Sequence, residues 1–104
     1  VRGIQVQQCR QGVQLSWYAL DEQESFYELP RELSFSGYHV YRLTRNYFVP
    51  KQPLTKNPLK ELVFIDRHAT KRGKRYSYVV RGVFSIENRV VLGPASRMTG
   101  IKII

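Results

Sequence analysis

The chain has 104 residues, of which 42% are hydrophobic and 12% aromatic, and its formal net charge is +9. That length is one domain, able to bury roughly 65% of its extended surface, and the apolar content excludes a disordered chain. No apolar run approaches the roughly 18 residues of a membrane-crossing helix, and the single cysteine, Cys9, excludes an internal disulfide.

In chain order, Ile4 and Val6 alternate with Gln5 and Gln7, which predicts a first strand over residues 3–9. A turn at Gln11 and Gly12 leads to a second strand, in which Val13, Leu15 and Trp17 share a face. Residues 19–36 are long for a connection, where about 4–6 residues is usual. They carry Pro30 and the apolar residues Leu20, Phe26, Tyr27, Leu29, Leu33 and Phe35, with a short helical turn near 21–28 that Asp21 would cap. A third strand is predicted over 37–45, with Tyr38 and Val40 on one face and His39, Tyr41 and Leu43 on the other. Residues 46–62 contain Pro50, Pro53 and Pro58 and read as edge strand and loop, because proline removes ladder donors. A short strand over 62–65 ends at Asp66, and residues 70–74 turn. Residues 75–85 form the clearest strand, with Tyr76, Tyr78, Val80 and Gly82 on one face. After a turn at 85–88, a last strand starts at Val90, is interrupted by Gly93 and Pro94, and resumes over 98–103. Several short strands at such spacing, with no long helix, indicate an antiparallel sandwich or barrel.

The residues V-Q-L-S-W at 13–17, G-Y-H-V-Y-R at 37–42, F-I-D at 64–66, G-K-R-Y-S-Y-V-V-R-G-V at 73–83 and G-P-A-S at 93–96 resemble the fibronectin type III domain in its bacterial extracellular form. The resemblance implies an all-β, seven-stranded antiparallel immunoglobulin-like β-sandwich spanning 1–104, with 19–36 as a long insertion between the second and third strands. It implies a non-catalytic spacer or adhesion module, cut from a larger secreted, periplasmic or envelope-anchored, lipoprotein-associated protein. Within that frame Trp17, Tyr38, Tyr76, Tyr78 and Gly82 take structural positions. Trp17 fills the middle of the sandwich, Tyr76 falls where the family's tyrosine corner lies, and Gly82 stands where a larger side chain would overpack. The insertion and the proline-rich stretch both depart from the family pattern.

The search for chemistry is mostly negative. His39 and His68 lack partners at metal-ligand spacing, and Asp66 reads as a turn residue that accepts local backbone N–H groups. No nucleophile–base constellation or phosphate loop is present, so neither an enzyme nor a cofactor is expected. The run from Asp21 to Glu32 holds five carboxylates against Arg31, but it lacks the alternating pattern of a calcium loop and reads as a solvated segment.

Two surface features remain. Outside 21–32 the chain carries sixteen Lys and Arg against Glu61, Asp66 and Glu87, and the densest group is Arg67, Lys71, Arg72, Lys74 and Arg75. Cations so crowded repel one another and favour an anionic partner, the candidates being a sulfated glycan, lipopolysaccharide phosphate, nucleic acid or the chain's own acidic 21–32 segment. Nucleic acid is not expected, because no exposed aromatic can be placed beside this turn from sequence. The second feature is the outer face of the third and 75–85 strands, with His39, Tyr41, Leu43, Val79, Arg81 and Val83. Too many of these are apolar for an open face, so a cover is expected, either the 19–36 segment or a protein partner or neighbouring domain. Membrane contact would come only through an anchor outside this segment.

Overall fold

The computed structural model describes residues 1–20 and 34–104. The described chain is all-β, with seven strands in two antiparallel sheets. The first sheet contains β1 (Gln5–Cys9), β2 (Gly12–Ser16) and β4 (Val63–Asp66), in the order β1-β2-β4. The second contains β3 (Ser34–Arg42), β5 (Arg75–Ile86) and β6 (Arg89–Ala95), in the order β3-β5-β6, with β7 (Thr99–Lys102) also paired to β5. Tyr78 lies opposite both Arg42 and Thr99, so β3 runs along one edge of β5 while β6 and β7 share the other.

The core lies between the sheets. Val13, Leu15 and Trp17 meet Tyr38, Val40, Tyr76, Tyr78 and Val80 there, and all are buried. Each small aliphatic among them contributes about 1.5–3 kcal/mol by leaving water. The Trp17 and Tyr38 rings meet edge to face at 5.5 Å, a geometry that suits their quadrupoles. Gly12 has φ +141°, and a Cβ there would run into the backbone carbonyl oxygen of Asp66. A side chain at the start of β2 would therefore force β4 away. Gly82 is buried on the inner face, where a Cβ would lie 2.9 Å from Leu20 Cδ1. The β5–β6 turn consists of Glu87 at φ 48° and Asn88 at φ 65°, the two positive values of a type I′ hairpin turn.

Several boundaries differ from the sequence expectation. β3 begins at Ser34, inside the anticipated insertion, and ends at Arg42 rather than at residue 45. Its early start is possible because a bulge between Phe35 and Gly37 keeps Ser34 paired to Ser85. Gly93 and Pro94 do not break the last strand into two at that point. β6 continues through them to Ala95, and its register shift against β5 between Arg81 and Val83 absorbs the irregularity. The proline-rich stretch runs beside the free edge of β3, where Leu54 N–H donates to the Val40 carbonyl and Leu59 forms an isolated bridge with Tyr38.

The described ends of segment 19–36 turn toward the inner side. Leu20 packs on the core and its N–H donates to Tyr38 Oη at 2.9 Å. Phe35 meets the rings of Tyr38 and Phe84 at 5.1 and 5.6 Å. The anticipated helical turn, acidic loop and outer-face cover over 21–33 lie outside the described residues.

Candidate anion-binding groove

One end of the second sheet is built from two hydrogen-bonded turns. Leu43 N–H donates to the Ser77 carbonyl at 2.8 Å, carrying the β3–β5 pairing one residue past Arg42. The chain then closes on itself: Tyr47 N–H donates to the Thr44 carbonyl, Thr44 N–H to the Phe48 carbonyl, and Phe48 N–H to Thr44 Oγ1. This network holds Tyr47 at φ 64°, a region that bulky side chains seldom occupy. Tyr47 and Phe48 are 57% and 69% exposed, so burial does not explain them.

The opposing turn precedes β5. Lys74 N–H donates to the Lys71 carbonyl at 3.2 Å across a bend with Gly73 at φ 80°, where glycine accepts a left-handed backbone without cost. Gly73 N–H donates to the Ile103 carbonyl, and Ile103 N–H returns to the Lys74 carbonyl. Tyr76, buried in the core, accepts the Lys71 N–H on its hydroxyl at 3.3 Å. The turn is therefore fixed to the sheet at both ends and by a ring from beneath.

Between the two turns lies a groove of about 500 Å³, lined on one side by Arg42, Leu43, Arg45 and Tyr47 and on the other by Lys71, Lys74 and Arg75. Arg42 has its charge answered from inside. Its Nη1 donates to both Asp66 carboxylate oxygens at 2.9 and 3.1 Å. Asp66, 2% exposed, also accepts the Tyr78 hydroxyl at 2.7 Å and the His68 N–H at 3.2 Å. Burial first, and then the bond to Asp66 and its charge, push the Tyr78 hydroxyl far above its ordinary pKa, so it remains a donor. Lys74 Nζ stands 5.1 Å from the centre of the Tyr76 ring, a cation–π arrangement that leaves its charge uncancelled. Among the described residues no carboxylate forms an ion pair with Arg45, Lys71, Lys74 or Arg75.

Of the residues singled out from sequence, Leu43, Lys71, Lys74 and Arg75 come together here. Arg67 and Arg72 are exposed and stand outside the lining. His39, Tyr41 and Arg81 lie on the other face of the sheet from the core residues Tyr38, Val40 and Val80, apart from the groove. Tyr41, Val79 and Val83 are 3%, 4% and 2% exposed, so that face is closed at its centre. Arg81 is half-buried with its guanidinium 5.9 Å from the Tyr41 ring, and its buried Nε has no hydrogen-bond partner among the described residues. His39 Nδ1 lies 2.6 Å from Thr55 Oγ1, which also accepts the Val40 N–H. Burial lowers the His39 pKa, and a neutral ring can accept the Thr55 hydroxyl proton.

Sequence reasoning missed Arg42, Arg45 and Tyr47 as groove residues. Arg42 is the last ladder residue of β3, extending that strand to residue 45 hid Arg45 as a further ladder position, and Tyr47 fell in the stretch read as edge strand and loop. The signal was present in Asn46, a turn former, followed by two aromatic residues that no core face required. Among the described residues no group of three or more His, Cys, Asp or Glu is placed to hold a metal, and Cys9 is a half-buried free thiol. No protein-family model matches the chain, and no curated protein matches it.

Proposed function

We propose that this chain is a non-catalytic, fibronectin type III-like interaction module of a larger secreted or envelope-anchored bacterial protein, and that it holds an anionic polymer in the groove between residues 42–47 and 71–75. Support for the kinship comes from the sheet orders β1-β2-β4 and β3-β5-β6, from Trp17 in the core, and from the Tyr76 hydroxyl bonded to a backbone N–H five residues upstream. The ligand reading rests on one observation: Arg45, Lys71, Lys74 and Arg75 converge on a single groove with no carboxylate paired to them among the described residues. A bound anion relieves their mutual repulsion and gains several charge-assisted hydrogen bonds. The outer face of β3 and β5 is a weaker candidate for a protein partner, because Tyr41, Val79 and Val83 are already buried within the chain.

A pair of variants removing equal charge tests the reading. Lys71→Ala/Arg75→Ala takes two cations from the groove, and Arg67→Ala/Arg72→Ala takes two from outside it. Wild type is expected to stay on a heparin column beyond about 0.2 M salt, above the range of generic charge attraction. The groove pair should elute much earlier and the outside pair close to wild type. Equal early elution of both pairs would reduce the groove to general surface charge.

A further inference from the structure

We infer that the polymer is single-stranded nucleic acid, with phosphates on Arg45, Lys71, Lys74 and Arg75 and a base stacked on Tyr47; the inference rests on the groove reading above. The expectation against nucleic acid came from the want of an aromatic beside the basic turn. Tyr47 supplies one: it lines the same groove as the four cations and is 57% exposed. Its neighbour Phe48 is exposed as well, at 69%, but stands outside the groove lining. Base–aromatic stacking next to a cationic track is how strands are held without sequence preference.

The turn is also built to present the ring. Three hydrogen bonds within residues 44–48 keep Tyr47 at φ 64°, although among the described residues its side chain makes no ring contact or hydrogen bond. A bulky residue maintained in that region, at the lip of a charged groove, points to a binding role for the side chain. Fixing it beforehand lowers the ordering cost on association.

The chemistry of the lining separates this ligand from its rivals. Among the described residues the groove is lined by no Asp, Glu, Asn or Gln, and of its hydroxyls Thr44 Oγ1 already accepts the Phe48 N–H and Tyr76 Oη the Lys71 N–H, so the lining offers sugar hydroxyls few acceptors and offers phosphates many donors. A duplex keeps its bases stacked inside and offers Tyr47 no free face. A volume of about 500 Å³ suits a short stretch of an extended strand.

Fluorescence anisotropy with a labelled thymidine dodecamer, the matching duplex and a heparin dodecasaccharide tests the inference. Tyr47→Gly removes the ring and tolerates the positive φ, so it keeps the turn; Tyr47→Phe keeps the stacking face. The single strand should bind more tightly than the duplex. Tyr47→Gly should weaken it about 5-fold or more, with Tyr47→Phe near wild type and the salt slope unchanged. Lys71→Ala/Arg75→Ala should flatten that slope by about 1.4. If Tyr47→Gly binds the single strand like wild type while the lysine–arginine variant loses it, the groove remains an anion site and the nucleic-acid inference falls. Tighter, Tyr47-dependent binding of the heparin fragment would assign the groove to a glycan instead. Binding of none of the three at low salt would overturn both readings.

Discussion

Arg42 and Arg75 line the same groove at the same end of the second sheet, and they differ in what answers their charge. Arg42 reaches inward to Asp66, which is almost wholly out of water and shared with Tyr78. Arg75 is exposed, and no carboxylate among the described residues pairs with it. The contrast separates charge used to hold the fold from charge left available to a ligand. A buried carboxylate stripped of its partner is strongly destabilising, whereas an exposed cation can be removed with little effect.

The largest effect should come from Asp66→Ala. It leaves the partly buried Arg42 guanidinium and the Tyr78 hydroxyl without their acceptor, and should cost about 3 kcal/mol in urea-induced unfolding. A loss below about 1 kcal/mol would mean that the network is ornamental to stability. Tyr78→Phe removes one charge-assisted bond and keeps the ring, so a loss of about 1.5 kcal/mol is expected by the same measurement.

A smaller effect follows from His39. Burial sets its folded pKa below the ordinary 6.5, so the unfolded chain binds the proton more readily. Its contribution is therefore complete above pH 6.5 and is lost as pH falls through the lower folded value. Melting temperature should decline modestly between about pH 7 and about pH 5, and His39→Gln should flatten that part of the profile. The smallest effect on stability belongs to Lys71→Ala/Arg75→Ala, expected within about 0.5 kcal/mol of wild type despite its loss of ligand. A large destabilisation there would erase the distinction between the two kinds of charge.

The inner face was legible in the sequence because a period of two leaves one choice of side. Val13, Leu15 and Trp17, and likewise Tyr38 and Val40, could be assigned inward without a structure, and all five are buried in the core. The groove was legible in half. Lys71, Lys74 and Arg75 announce themselves as a charge run, but Arg45 and Tyr47 enter it only because β3 stops at Arg42 and the chain folds back. The Arg42–Asp66–Tyr78 network joins β3, β4 and β5 across sequence separations of 24 and 12 residues. No local pattern encodes such a meeting. The sequence marks Asp66 as a turn residue, and it does accept the His68 N–H, but its other partners depend on how the sheets face each other.

The double pairing of β5 has a consequence for how the molecule comes apart. With β3 on one edge and β6 and β7 in succession on the other, its amides are locked from both sides along most of its length. β6 has β5 as its only strand partner among the described residues, and Val90, Val91 and Leu92 stay largely in contact with water. Amide exchange should accordingly begin at the β6 tip and reach the middle of β5 last. The base of β5, where Tyr76 supports the basic turn, would thus stay shut while the far end of the hairpin breathes.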